Sequence, residues 1–199
     1  AAEMCPVIGG DVAGFDEAAM MGTPGVKKVV KFNDTYTNGV AVIADSYWNA
    51  KTALSKGAIK WNITKNATLS SEGISKMLAD AAATDGVEVK ARGDVKAALG
   101  SAAKTLEGAY ELQFLAHSAM EPLNATVLVK SDSAEVWAPT QFQTLVPPTV
   151  AAATGLKPEQ INIHTTYLGG GFGRKIEMDF IAQAAVIAKA MPGVPVKTI

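Results

Sequence analysis

The chain has 199 residues and a mass of 20.6 kDa, enough for one medium domain or two small ones. Hydrophobic residues make up 48% of it and charged residues 19%, a composition that supports a substantial core and excludes a disordered tail. Lysine and arginine total 18 against 19 aspartates and glutamates, a formal net charge of -1. This balance argues against a nucleic-acid partner and against charge-driven binding to anionic lipid.

Metal and membrane sites are also restricted by composition. The single cysteine, Cys5, cannot form an internal disulfide, and with only two histidines it cannot build a zinc site. The apolar stretches are too short for a transmembrane span, which needs about 18 residues. A metal held mainly by side chains is therefore not expected, whereas a metal carried inside an organic cofactor is compatible with the sequence.

Residues 1–63 alternate strand and helix signals, which predicts a compact α/β unit. Asp45 and Ser46 are predicted to cap a helix over 47–56 that ends at Gly57. Asn33-Asp34 and Asn38-Gly39 indicate a turn between two strands. The predicted elements are a short helix within 15–25, strands over 26–32 and 40–44, the capped helix, and a strand over 59–63.

Residues 64–99 are polar and alanine-rich, which predicts a helical and loop connection. Strand signals resume in 100–199, so the overall fold class is α/β of a mixed α+β kind. A helix with two prolines near its front is predicted to end at Gly155. The predicted elements are helices over 70–83, 94–99, 145–154 and 177–191, and strands over 106–114, 125–130, 134–137 and 161–168.

The chain ends on an apolar, strand-like segment, Val194 to Ile199. Domains usually end on surface residues or on a docked helix. We therefore expect a piece cut from a longer polypeptide; the alternative is a short final strand with a free end.

A glycine-rich segment, YLGGGFGRK over 167–175, joins the last long strand to the last helix. Its glycines allow left-handed backbone and close approach of another group, and its N–H groups form a natural receptor for an anion or an oxo group. Arg174 and Lys175 add cationic donors. The segment matches neither the Walker nor the dinucleotide fingerprint.

GGGFGRK follows two other blocks, HSAMEPLNAT over 117–126 and WAPTQ over 137–141. In this order and spacing the three blocks resemble the molybdopterin-binding large subunit of the xanthine oxidase family. The similarity is greatest to the branch with isoquinoline 1-oxidoreductase and bacterial membrane-associated aldehyde dehydrogenases.

The resemblance implies an organisation and a set of partners. It implies the end of a hammerhead-like α/β domain over 1–63 and part of a molybdenum-cofactor-binding domain over 100–199. It further implies a molybdenum–molybdopterin cofactor, in a dinucleotide form, and [2Fe-2S] clusters on a small partner subunit. The remainder of the large subunit and a cytochrome c subunit are further implied partners.

The resemblance also assigns roles to residues. Gln141 matches a glutamine that hydrogen-bonds the apical oxo ligand of molybdenum, and the alternative is an amide that caps a turn. Phe172 matches a phenylalanine whose N–H lies near the metal and whose ring lines the substrate channel, and the alternative is a core aromatic. The glycines that leave room for the cofactor are Gly170, Gly171 and Gly173.

Arg174 stands where other members carry glycine, and it either reaches the pterin phosphate or forms a surface salt bridge. Ile176 stands where purine-oxidising relatives carry glutamate, so a less polar substrate pocket is expected. Glu177 would point about 100° away from Ile176 on a helix and should not replace that glutamate. His117 is expected to be a core residue, and Glu121 to shape a turn and hold neighbouring amides.

The expected function is that of part of a molybdenum hydroxylase subunit, which oxidises an aldehyde or an N-heterocycle. Because the family's catalytic Gly-x-Gly-Glu segment is absent, the 199 residues alone are expected to be inactive, with no directly metal-ligating residue. The alternative is a non-catalytic α/β domain that binds an anionic ligand at the glycine-rich turn. The resemblance implies the periplasmic side of the bacterial inner membrane, and a cytoplasmic location is also compatible.

Overall fold

A computed structural model describes residues 1–34 and 38–199. These residues form two compact units, one of 1–67 with 117–199 and one of 68–116. Both strands and helices recur along the chain, which confirms the mixed α/β class. The domain boundaries predicted at residues 63 and 99 stay predictions, since a unit of packing and a family domain need not coincide.

The first third of the chain is built around an antiparallel sheet with the strand order β1-β4-β3. Its central strand, β4, is buried on both faces, as its unbroken apolar run predicts. Helix α2 packs on this sheet, and Ser46 caps it by accepting a hydrogen bond from the Asn49 N–H at 3.2 Å. The elements are β1 Ala2–Met4, β2 Asp11–Gly14, α1 Glu17–Met21, β3 Val26–Asn33, β4 Asn38–Ala44, α2 Tyr47–Lys56 and β5 Lys60–Asn62.

The last third contains a four-stranded sheet with the order β8-β7-β6-β9, in which only β7 and β8 are parallel. Two helices contribute to the apolar core on one face of the sheet, where every second residue of β6 and β7 is buried. Gly155, at φ 86°, ends the first helix as predicted. The elements are β6 Ala125–Val129, β7 Ala134–Ala138, α5 Val146–Thr154, β8 Ile161–Thr165, α6 Asp179–Lys189 and β9 Val196–Thr198.

The unit of residues 68–116 contains two helices, α3 Ser71–Ala82 and α4 Val95–Gly100, as the sequence predicts. The strand predicted over 106–114 is wrong, because this segment has no regular structure. Its alternating apolar side chains find no paired strand and no core among the described residues; Leu112, for example, is 94% exposed. Alternation alone does not make a strand without a partner.

Two predicted boundaries also need correction. The last long strand ends at Thr165 rather than 168, and the last helix begins at Asp179 rather than 177. Between them lie three residues at positive φ, Gly170, Phe172 and Gly173, and this left-handed backbone continues neither a strand nor a helix. The turn predicted between Asn33 and Gly39 falls in part on 35–37, which lie outside the described residues.

Candidate functional site

The parallel pairing of β7 and β8 places two loops at one edge of the sheet. Gln141 lies three residues beyond the end of β7, and the glycine-rich loop, residues 166–173, follows β8. Because the carboxyl ends of parallel neighbours share an edge, segments far apart in sequence meet there. This edge is the candidate site.

The glycine-rich loop holds an unusual backbone conformation. Gly170 and Gly173 have φ of 94° and 87°, and Phe172 has φ of 51°, the left-handed region that a bulky residue rarely adopts. Such a conformation costs about 1–3 kcal/mol and tends to occur at functional sites. The Phe172 side chain is also 70% exposed, so the alternative of a core aromatic does not hold within this chain.

Gln141 is bonded directly to the loop. Its side-chain Oε1 accepts a hydrogen bond from the Gly173 N–H at 3.1 Å. Its backbone N–H donates a hydrogen bond to the Lys175 carbonyl at 3.1 Å. Since a backbone N–H can only donate, the amide oxygen must face Gly173 and the Nε2 group must face away. Gln141 therefore presents an oriented, uncharged donor at the sheet edge.

The loop also offers backbone donors. Across the two described ranges, the N–H groups of Gly170, Gly171 and Phe172 have no hydrogen-bond acceptor. A Cβ built on Gly171 would overlap the Gln141 Oε1, so no side chain fits there without moving the amide. The site thus combines uncharged hydrogen-bond donors with a glycine backbone that lies close against the Gln141 side chain.

Lys175 and Arg174 do not supply free cations to the site. Lys175 is fully buried and its Nζ lies 2.6 Å from Glu121 Oε2. Arg174 makes two bonds to Asp179, at 2.8 and 2.5 Å, the salt-bridge alternative weighed above, and this pairing raises its pKa. The assignment of Arg174 to the cofactor stays a prediction.

Ile176 ends a single helical turn, Arg174–Ile176, and is 43% exposed. Glu177 has extended backbone, at φ -65° and ψ 139°, and precedes α6. Glu177 therefore does not share a helix with Ile176, and the expected separation of about 100° is wrong. The placement of Ile176 in a substrate pocket stays a prediction.

The two histidines have different surroundings. His117 is exposed rather than in the core, as are the apolar residues 114–116 before it. His164 has partners that the sequence did not reveal: its Nε2 lies 2.6 Å from Glu135 Oε2, and its ring stacks on Trp137 with the centroids 4.9 Å apart. Bonds from His164 and then Asn162 lower the pKa of Glu135. The sequence could indicate this cluster only once the register of β7 against β8 was known.

Comparison with known proteins decides the family. The model of the molybdopterin cofactor-binding domain matches residues 78–199, more than half of the chain. The chain belongs to this family.

Two curated relatives of this molybdopterin cofactor-binding chain are informative. An isoquinoline 1-oxidoreductase subunit beta from Brevundimonas diminuta is 26% identical over 207 aligned residues, which cover 99% of the chain and 26% of that protein. A membrane-bound aldehyde dehydrogenase from Gluconacetobacter polyoxogenes, named as a pyrroloquinoline-quinone enzyme, is 35% identical over 105 residues, 53% of the chain and 14% of that protein. The chain thus spans about a quarter of the first relative's length and less of the second's.

Solved structures show the same fold. Aldehyde oxidoreductase from Desulfovibrio gigas superposes with a TM-score of 0.77 at 22% identity, over 99% of the chain and 26% of that protein. Quinoline 2-oxidoreductase from Pseudomonas putida 86 superposes with a TM-score of 0.71 at 16% identity, over 99% of the chain and 30% of that protein. The comparisons together confirm the resemblance to the xanthine oxidase family.

The site's donors suit a molybdopterin cofactor. Within residues 1–34 and 38–199, no group of three or more His, Cys, Asp or Glu side chains could hold a metal ion. The Gln141 amide and the loop N–H groups instead suit the oxygen acceptors that such a cofactor carries.

In the same two ranges, no helix combines the length and apolarity needed to cross a membrane.

Proposed function

We propose that this molybdopterin-binding chain is part of the large subunit of a molybdenum hydroxylase. The substrate is an aldehyde or an N-heterocycle, and the oxygen that enters the product comes from water. The observation that supports this function is the Gln141 amide, fixed by the Gly173 N–H beside a loop with three unpaired backbone donors. These groups supply hydrogen bonds without adding charge beside a metal.

Each residue has a defined task in this proposal. Gln141 Nε2 donates to an oxo group of the cofactor, and the Phe172 N–H binds near the same centre. The Phe172 ring lines the path of the substrate, while Gly170, Gly171 and Gly173 keep the backbone close to the cofactor. When bound, the cofactor supplies a two-electron acceptor for hydroxylation of carbon.

The remaining parts of the enzyme are also proposed. The cofactor is a dinucleotide form of molybdopterin, and electrons leave through a small [2Fe-2S] subunit towards a cytochrome c subunit. The chain operates with the rest of its large subunit on the periplasmic side of the bacterial inner membrane. The name of one relative, a subunit beta, supports a further subunit, and the name of the other, a membrane-bound dehydrogenase, supports a place at a membrane.

The alternative, a domain that binds an anionic ligand at the glycine-rich turn, has less support. An anion site would use the two cations that follow the turn. Lys175 is buried against Glu121, and Arg174 is bound through two bonds to Asp179. Both cations are engaged, and the donors left over are neutral.

Isotope labelling of the complete enzyme tests the reaction. With oxygen-18 water, the carboxylic acid or lactam product should carry the label from solvent. In the same assay Gln141→Ala should lower kcat at least tenfold, whereas Gln113→Ala, an exposed glutamine in the other unit, should not change it. Product without solvent oxygen would contradict hydroxylation, and an unaffected Gln141→Ala enzyme would contradict the site.

The choice of substrate depends on Ile176. An isoleucine cannot pair with the polar edge of a purine, and an unsatisfied polar group costs about 1–3 kcal/mol, about one to two powers of ten in selectivity. We expect kcat/KM for an aldehyde or isoquinoline to exceed that for hypoxanthine, and Ile176→Glu to narrow the ratio. A parental preference for hypoxanthine would contradict the apolar pocket, and an unchanged ratio in the variant would remove Ile176 from it.

A further inference from the structure

Lys175 is a charged side chain beside the site that the proposed reaction does not use. It has no exposed surface, and its Nζ is 2.6 Å from Glu121 Oε2. An unpaired ammonium at such a position would be strongly disfavoured. Burial of this lysine therefore requires Glu121, which lies 54 positions earlier in the sequence.

Glu121 holds the start of the glycine-rich loop. Its Oε2 accepts a hydrogen bond from the Gly169 N–H at 2.8 Å, and its own N–H donates to the Gly169 carbonyl at 3.1 Å. A Cβ on Gly169 would lie 2.5 Å from the Glu121 Cβ. One carboxylate oxygen thus joins the lysine to the loop.

Lys175 holds the other half of the site through its main chain. Its carbonyl accepts hydrogen bonds from the Gln141 N–H and the Thr140 hydroxyl, both at 3.1 Å. The ion pair therefore connects three segments: the one that contains Glu121, the one that contains Gln141, and the loop. Two of the three non-glycine residues at positive φ among the described residues, Ser118 and Phe172, lie in or next to these segments.

We propose that Glu121 and Lys175 form a positioning pair that sets the glycine-rich loop and Gln141 for cofactor binding. Buried ion pairs contribute little to stability compared with apolar side chains of similar volume, and their best-supported role is to fix one arrangement of the chain. The proposal rests on the proposed function, because the positioned groups are those that would meet the cofactor.

The test separates positioning from stability by measuring molybdenum per subunit and the melting temperature of the cofactor-free form. The protein is the complete subunit. Lys175→Met leaves Glu121 unpaired. The double variant Glu121→Leu/Lys175→Met removes both charges and the acceptor for Gly169, whereas Glu121→Gln/Lys175→Met removes the charges and keeps an acceptor. Lys76→Met, which breaks an exposed pair with Asp80 at 2.7 Å, is the control.

Lys175→Met should lower both quantities. The Leu/Met variant should regain the parental melting temperature but hold at least tenfold less molybdenum, and the Gln/Met variant should regain both. Parental molybdenum in the Leu/Met variant, or molybdenum that follows the melting temperature throughout, would overturn the proposal.

Two further results keep the test decisive. If the Leu/Met variant does not fold, Glu121→Asp decides, because it keeps both charges but shortens the reach to Gly169. We expect Glu121→Asp to keep the parental melting temperature and to hold at least tenfold less molybdenum. A parental molybdenum content in this variant would overturn the positioning role of the pair. A parental subunit without molybdenum would instead overturn the proposed function, and this inference with it.

Discussion

Gly171 shows at the scale of one residue how closely the two binding segments approach. The glycine is buried, and the Gln141 side chain occupies the space where a Cβ would project. Its φ is not among the positive values of the loop, so a methyl group would act through contact with the amide rather than through backbone strain. The displaced group is the end of a flexible side chain, so the fold can adapt while the amide moves away from Gly173.

Gly171→Ala in the complete subunit should therefore lose molybdenum without losing the fold. We expect at least a tenfold drop in metal content and a change of no more than about 1 kcal/mol in the free energy of unfolding. Metal analysis and denaturant unfolding measure the two quantities. Gly14→Ala is the control, because a Cβ there meets no atom within 4 Å. Parental molybdenum in Gly171→Ala would place the cofactor elsewhere.

The protonation of Glu121 should make the stability of the folded subunit depend on pH. Burial alone raises the pKa of this carboxyl, but hydrogen bonds from Lys175, Gly169 and Asn124 outweigh burial and hold the pKa below its ordinary value. A carboxyl with a lower pKa in the folded state stabilises that state above the ordinary value, about 4.3. The contribution disappears as the pH falls through the lowered pKa.

The melting temperature of the parental subunit should exceed that of Glu121→Gln near neutral pH. The difference should shrink as the pH is lowered below about 4.3. Melting curves of both proteins across this range provide the measurement, with Glu107→Gln, an exposed carboxylate, as the control. A difference that does not change with pH would show that Glu121 is not ionised in its pair.

For helices and strands, signals that act within a few residues gave better predictions than patterns whose outcome depends on strand pairing. The Ser46 cap, the Gly155 stop and the doubly buried strand β4 follow from rules that act within a few residues. The segment 106–114 alternates as a strand does, yet it joins no sheet among the described residues. Pairing depends on chain far away in sequence, so alternation could not decide it.

The candidate site likewise combines a motif that the sequence revealed with contacts that it could not reveal. The motif around Gly171 and Phe172 was recognisable because its residue types are unusual in that order. The sequence could not show that Lys175 is buried against Glu121, since this depends on two loops meeting at the β7–β8 edge. The Glu135–His164 contact escaped prediction for the same reason.

Helix α6 provides the test of the core. Ile181 is fully buried in the apolar cluster that α5, α6 and the four-stranded sheet share. Ile181→Ala should lower the free energy of unfolding by about 2–5 kcal/mol, through lost apolar burial and the cavity left behind. Ile8→Ala, at a side chain 82% exposed, should change it by less than about 0.5 kcal/mol. Equal effects of the two changes in denaturant unfolding would contradict the packing described.

For the molecule as a whole, we expect the cofactor-binding surface to lack a free catalytic base among residues 1–34 and 38–199. A general base must reach the proton that it removes. Glu121, the carboxylate that touches the loop, is occupied by Lys175 and Gly169. We expect no oxidation of an aldehyde or an N-heterocycle by the isolated 199-residue chain of verified mass. Turnover by that chain would show that a base lies within it.

We expect this chain to help bind a molybdenum cofactor in the native protein. The most direct measurement is joint analysis of molybdenum and pterin in the intact native protein, with pterin read by fluorescence after oxidation. Molybdenum and pterin should be found together, in stoichiometric amounts, and Gly171→Ala should lose both. Native protein that contains neither molybdenum nor pterin would contradict it.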